Sequence, residues 1–219
     1  MQAPSIPCPR AERLPETLAE ASRDFATTPL TPFNQPWVDC PETRFRPGGV
    51  ALARDGTHLG IWADLEDDEV FNDGVSSQQP LWALGDVFEI FLRPLPEERY
   101  WELHVTPDNL QLRLSFPSEL FFWREAVFFK DQPWVWTYAL PEGAFVSEAA
   151  RRPGGWQVWA RIPWTTFNRG SAPDDGIEWI GCFCRYDASR QTTAPVLSTT
   201  GSHARMQFHD QRGWNPIRF

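Results

Sequence analysis

Long apolar runs are missing from this chain: nowhere do about 18 hydrophobic residues follow one another, so no membrane-spanning helix is read from it. Basic clusters are missing too. With 20 Lys and Arg against 29 Asp and Glu, the formal charge of −9 repels phosphate backbones and anionic lipid, and neither nucleic acid nor a membrane is an expected partner. The start, "MQAPSIPCPRAERLPE", has no basic segment leading into an apolar one, so no export signal is read there and a cytoplasmic location is expected. Cysteine is scarce: four residues do not make a disulfide framework, and no CxxC spacing supports a structural zinc. Cys182 and Cys184 lie two apart on an expected strand, where pairing is geometrically poor, while a Cys8–Cys40 bridge stays open. No repeat of solenoid or propeller length is present.

What the chain does have is flat aromatic surface and proline. Twelve Trp and sixteen Phe in 219 residues, with 42% hydrophobic residues overall, describe an ordered globular domain with more rings than a core of this size calls for. The 21 prolines are spread throughout, which leaves little room for long helices and favours short strands joined by loops. In "GVALARDGTHLGIWADL" the Asp55-Gly56 pair predicts a two-residue hairpin that sets Leu52 against Leu59 and Val50 against Ile61. The opposite face carries Ala51, Ala53, Gly60 and Trp62, small residues around one large ring, which suits close packing by another element. The acidic "EDDEVFNDG" that follows lacks the spacing of a known calcium loop and reads as a solvated connection.

The stretches "LQLRLSF", "WVWTYAL", "GWQVWARIPW" and "EWIGCFCRY" alternate as further strands, and "PEGAFVSEAARRPGG" reads as a turn-rich insertion. About eight short strands without helix alternation predict an all-β fold, an antiparallel β-sandwich or jelly roll. The sandwich is expected over residues 33–219. Residues 1–32 are expected as a short N-terminal extension packing on it, in which "ERLPETLAEASRDF" starts a short helix near Pro15 or wraps the domain.

Two neighbouring strands carry the chemistry. In "DVFEIFLR" Phe88, Ile90 and Leu92 face one way and Val87, Glu89, Phe91 and Arg93 the other; in "RYWELHVT" Trp101, Leu103 and Val105 oppose Tyr100, Glu102, His104 and Thr106. The short "PLPEE" link makes them antiparallel, and matching their apolar faces sets Leu92 against Trp101, Ile90 against Leu103 and Phe88 against Val105. Glu89 then stands across from His104 and Phe91 across from Glu102, so two carboxylates and an imidazole share one sheet face, with Trp82 just ahead of them. Such a trio can be a plain cross-strand ion pair with Trp82 as edge cover. It can also meet a ligand.

Taken in order, "RDGTHLGIWADLEDDEVF", "LWALGDVFEIFLRP", "YWELHVTPD", "GWQVWARIPWTTF", "EWIGCFCRYD" and "FHDQRGWNPIRF" resemble the family 9 carbohydrate-binding modules and their DOMON-like β-sandwich relatives, over roughly residues 45–219. The resemblance implies a non-catalytic, lectin-like protein that grips a mono- or oligosaccharide between two rings, with a carbohydrate-active enzyme as its potential partner. By motif, Trp82 takes the place of the first ring, Glu89 of the strand carboxylate, His104 of a basic sugar-binding residue usually an arginine, and Phe208 of the second ring. Glu102 and Arg205 are added as neighbours. No cofactor is assigned, and the structural calcium that such modules can hold is left open. A pyranose suits such a place, since its C–H face needs a ring and its hydroxyls need planar polar partners.

Two other readings use the same residues. Glu89 and Glu102, diagonal on one face, could seat the acid and base of a glycoside hydrolase. His104 and Met206 could supply the axial pair of a haem-binding DOMON-like domain. Trp37, Trp123, Trp134 and Trp136 are expected as packing or rim residues, and Trp156, Ile162 and Trp164 as core.

Overall fold

Alternation broken every few residues by proline or glycine makes strands too short to stand alone, and the chain stacks them as two sheets. The structure, a computed structural model, describes residues 3–128 and 134–219. In chain order the strands are β1 (Ile6–Pro7), β2 (Thr31–Pro32), β3 (Gly48–Arg54), β4 (His58–Glu66), β5 (Val87–Pro94), β6 (Tyr100–Val105) and β7 (Gln111–Phe116). There follow β8 (Val146–Arg152), β9 (Gly155–Pro163), β10 (Glu178–Asp187), β11 (Val196–Thr199) and β12 (Asn215–Arg218); two helices are α1 (Leu18–Asp24) and α2 (Glu119–Phe128). One sheet runs β2-β3-β4-β9-β8 and the other β1-β12-β10-β5-β6-β7, with β11 beside β12 along the same edge of β10. All pairs are antiparallel except β1 with β12.

The core lies between the sheets. Val50, Leu52, Leu59 and Ile61 meet Phe88, Ile90, Leu92 and Leu103, and Trp101, Trp156, Ile162, Trp164 and Trp179 fill the rest, all buried. The protein is therefore the all-β sandwich that the sequence predicts. The β5–β6 register agrees residue for residue: Leu92 pairs with Trp101, Ile90 with Leu103, Phe88 with Val105, Glu89 with His104 and Phe91 with Glu102.

Three segments depart from expectation. In the β3–β4 hairpin Leu52 pairs with Ile61 and Val50 with Ala63, two residues away from the predicted register, so the apolar faces still coincide. The cause is Asp55: its Oδ1 accepts from Thr57 N, Thr57 Oγ1 and His58 N, which puts Asp55 ahead of the turn and leaves Gly56-Thr57 as the turn itself. "WVWTYAL" is a 3₁₀ turn at Trp134–Tyr138, not a strand, and the side chain of Trp134 lies outside the described residues. Within the expected insertion, β8 is an edge strand joined to β9 through Pro153-Gly154; Gly154 has φ +73°, the left-handed value that a tight turn after proline demands.

The first thirty residues tie into both sheets. Ile6 pairs with Ile217, while Leu14, Ala21 and Phe25 cover Ala51, Ala53, Trp62 and Trp159 on the outer face of the β2-β3-β4-β9-β8 sheet. Thr17 caps α1 by accepting from Glu20 N. Cys8 is buried, Cys40 exposed, and both are free thiols, as are Cys182 and Cys184.

Candidate functional site

The outer face of the second sheet is not left to solvent. Leu114, Phe116, Phe91, Cys182 and Cys184 form a second apolar cluster there, and Glu89, Glu102 and His104 stand among them. Above this face rise three loops. The turn Leu81–Ala83 brings in Trp82, and Gly85 lets the chain re-enter β5: its φ is +147°, and a Cβ there would lie 2.5 Å from Phe71 O. α2, whose first turn is capped by Ser118 Oγ accepting from Phe121 N, brings Phe122. The segment before β12 brings Met206, Gln207, Phe208 and His209, held by Trp214 Nε1 donating to Phe208 O at 2.7 Å.

Between them lies a hollow of about 280 Å³, open to solvent, with Trp82, Phe208 and Tyr186 among its rings and Glu89 and Glu102 in its lining. Its size is near the low end of small-molecule sites, enough for about one sugar ring. His104 is fully buried and does not line the hollow. Its Nε2 donates to Glu102 Oε1 at 2.8 Å and lies 3.2 Å from Glu89 Oε1, so one imidazole fixes both carboxylates from behind. The Trp82 ring stands edge-on to the His104 ring, centroids 5.7 Å apart. The imidazole Nδ1 is buried without a partner.

Charge in this layer is set by burial against partners. Burial pushes Glu89 up to about 7, the Glu102 charge adds to the rise, and His104 opposes it. Burial also works against Glu102, but the histidines beside it hold it below the usual carboxylate range. His104 is raised despite its burial, because Glu89 and Glu102 both favour its charged form. Burial takes His209 down to about 4, so near neutral pH it is uncharged. The Tyr100 hydroxyl donates to His209 Nδ1 at 2.9 Å, which leaves the ring hydrogen on Nε2, 3.6 Å from Glu102 Oε2. Phe122 stacks on that ring at 3.6 Å.

Of the residues predicted from sequence, the hollow brings together Trp82, Glu89, Glu102 and Phe208; His104 sits behind them, and Arg205 is exposed on the same loop as Met206 without lining the hollow. Trp37 packs against Phe208 at 6.1 Å, and Trp123 Nε1 donates to Glu119 Oε1 within α2. Sequence reasoning missed Phe122, Tyr186, Gln207 and His209. Two signals were available: "SELFFWREAVFF" is a proline-free stretch behind a serine cap, and His209 follows Phe208 in a motif already singled out.

The other chemistries fit less well. A haem would need an axial histidine open to the hollow, whereas His104 is fully buried behind the acids, and Met206 is 53% exposed at the rim. Glu89, Glu102 and His104 present three ligand atoms within 4.8 Å of one another, as do Asp67, Asp86 and Asp187. In the first group the imidazole Nε2 is hydrogen-bonded to Glu102 and lies 3.2 Å from Glu89. In the second, Arg185 lies 3.0 Å from Asp67 Oδ2 and 3.2 Å from Asp187 Oδ2, while Asp86 accepts from Phe71 N and Ala188 N at 2.7 Å each. A calcium needs about six to eight oxygen ligands, and here a guanidinium stands where the cation would. These residues do not fit the ion.

No family model matches the chain, and no curated protein is similar to it at the level searched. Solved structures are similar. A candidate carbohydrate-binding protein from Bacteroides uniformis ATCC 8492 superposes with a TM-score of 0.71 at 16% identity, covering 99% of this chain and 99% of that one. A family 9 carbohydrate-binding module from Caldicellulosiruptor kristjanssonii in complex with cellotriose gives 0.65 at 14% identity, over 98% of this chain and 92% of that one. The same organism's family 9 module in complex with glucose gives 0.64 at 14%, over 97% and 94%. The chain has the fold of these modules.

Proposed function

We propose that this protein binds carbohydrate without transforming it, taking one sugar ring into the hollow on the outer face of the β5–β6–β7 sheet. The observation that carries the reading is a solvent-open hollow in which rings stand beside two carboxylates already oriented by one buried imidazole. The sugar complexes of the modules that share the fold support it.

Stacking supplies part of the free energy. A ring face that removes about 100 Å² of apolar area from water is worth about 2.5 kcal/mol, so two rings barely exceed the cost of association, at least about 4 kcal/mol. Hydrogen bonds from hydroxyls to Glu89 and Glu102, about 1.5–3 kcal/mol each, decide the rest and place dissociation constants between about μM and mM. Because His104 holds both acids in place, little side-chain freedom is lost on binding.

Calorimetry or a glycan array with glucose and cello-oligosaccharides tests the reading. Binding is expected, and Trp82→Ala should abolish it while thermal unfolding stays within a few degrees of the parent. Silence across the array overturns the proposal, as does full binding by Trp82→Ala.

A second reading is favoured by one observation: Glu89 is raised and Glu102 lowered, the split that separates an acid from a base. Their ligand oxygens lie within 4.8 Å, but both carboxylates hang from the same imidazole on one side of the hollow. A glycosidase pair flanks the scissile bond. Turnover of a chromogenic glycoside, lost in Glu89→Gln, would establish the enzyme instead.

A further inference from the structure

We propose that the hollow prefers a protonated amino sugar to a neutral one, with the ammonium group lying between Glu89 and Glu102 against the surrounding rings. This rests on the sugar-binding reading above and names the class of sugar.

Three observations carry it. Among the described residues no Lys or Arg lines the hollow: the basic residue implied by motif is His104, buried behind the acids, and Arg205 is exposed on its loop outside the lining. The polar groups that remain are dominated by acceptors. An ionised carboxylate only accepts hydrogen bonds, an ammonium offers three donors and no acceptor, and Glu89, held at about 7, is drawn into its ionised form by a cation beside it. The two acids also share one imidazole, so whenever both are ionised at most one positive charge stands against two negative ones.

The walls favour the same ligand. Trp82, Phe91, Phe116, Phe122, Tyr186 and Phe208 surround the acids, and the faces of such rings attract a cation within about 6 Å. His209, the remaining base in the lining, is kept uncharged by burial and does not repel an ammonium. Burial and the neighbouring acid make Glu89 the costlier of the two charges, so it is the group that a positive ligand relieves most. A neutral hydroxyl relieves that cost through a hydrogen bond alone, without an opposite charge.

The test is titration calorimetry of the full chain near neutral pH with D-glucosamine, D-glucose and N-acetyl-D-glucosamine, before and after dialysis against EDTA. A charge-assisted contact in place of a neutral one predicts about tenfold tighter binding of glucosamine than of either neutral sugar. Glu89→Gln should weaken glucosamine more than glucose, so that the ratio of the two affinities falls from about ten to about one. Glucose binding as tightly as glucosamine overturns the inference and leaves the sugar reading standing. Failure of all three sugars overturns both. Loss of binding after EDTA also overturns it, since a metal ion would then supply the positive charge. Comparing glucosamine with its N-acetylated form on the unmutated protein decides the matter even if Glu89→Gln does not fold.

Discussion

Two buried groups of acids sit on opposite faces of the same paired strands, and they are neutralised in different ways. On the core-facing side of β10, beyond Phe183, Arg185 reaches Asp67 and Asp187 with Asp86 close by. On the other side, Glu89 and Glu102 share His104 beneath the hollow. A guanidinium keeps its proton at any pH a protein survives, and both it and its partners are almost fully buried. An imidazole gives its proton up near neutrality, and the acids it serves touch a space that a ligand can enter. Asp67 and Asp187 also border an open, polar hollow of about 390 Å³, but the cation that holds them there is fixed, so the first group is arranged to hold the end of the sandwich together. The second is arranged to answer what arrives.

The largest break in this contrast comes from removing the fixed cation. Arg185→Met leaves Asp67 and Asp187 buried without their partner, and the loss of stability in urea unfolding is expected at about 3–5 kcal/mol. Glu89→Gln, an equally buried change in the other group, should cost about 1 kcal/mol or less, because the amide still reaches His104. If the two substitutions cost the same, the distinction between a structural and a ligand-facing group is wrong.

A smaller effect separates the groups by pH. Burial, then the Asp67 charge, raises Asp86 to about 8; burial, against the pull of Arg185, raises Asp187 to about 6. Both keep protons in the fold that the unfolded chain has already released, so their share of stability is complete at low pH and is lost as pH rises through those values. His209 acts in the opposite sense. Held at about 4 against its ordinary 6.5, it contributes stability above 6.5 that is lost as pH falls toward 4. The windows overlap: His209 offsets only one of the two acids between about pH 4 and 6, so these three groups together make stability fall toward pH 8, with slopes on the order of 1 kcal/mol per pH unit in chemical denaturation. Asp86→Asn should flatten the fall between about pH 6.5 and 8, and His209→Gln should steepen it between about 4 and 6.5; an unchanged slope above 6.5 in Asp86→Asn would mean that the acid is ionised in the fold.

How much of this was legible before the structure follows from what fixes each feature. The β5–β6 register is local: two strands, a short link and strict alternation allow one match of apolar faces, so Glu89, Glu102 and His104 could be placed together from sequence. The β3–β4 register turned on the Asp55 side chain preferring the backbone N–H groups of Thr57 and His58 to a place inside the turn, a choice between turns of nearly equal standing. Which side of the trio faces a ligand was not legible. His104 and Glu102 point to the same sheet face, and only the loops arriving from residues 81–83, α2 and the segment before β12 decide that the acids line the hollow and the imidazole does not. The acid group around Arg185 was also invisible, since Asp67, Asp86 and Asp187 come from three separate elements and nothing in "EDDEVFNDG" signals its partner.

The smallest expected effect bears on the same arginine. With Arg185 in place, the oxygens that calcium would need are largely engaged: Asp86 accepts two backbone N–H groups, Asp67 Oδ1 accepts from Glu69 N, and Asp67 Oδ2 faces the guanidinium. Asp187 Oδ2 is buried with no hydrogen-bond partner, although the arginine lies 3.2 Å away. A cation bound at about 100 times its dissociation constant would add about 2.7 kcal/mol of stability, and for a domain of this length that is a rise in Tm of roughly 5–10 °C. Millimolar calcium, or its removal by EDTA, is instead expected to leave Tm within about 1 °C. A calcium-dependent rise of several degrees, retained in Arg185→Met but lost in Asp187→Asn, would mean that the arginine yields to the ion, and the end of the sandwich would then be as responsive to what it binds as the hollow is.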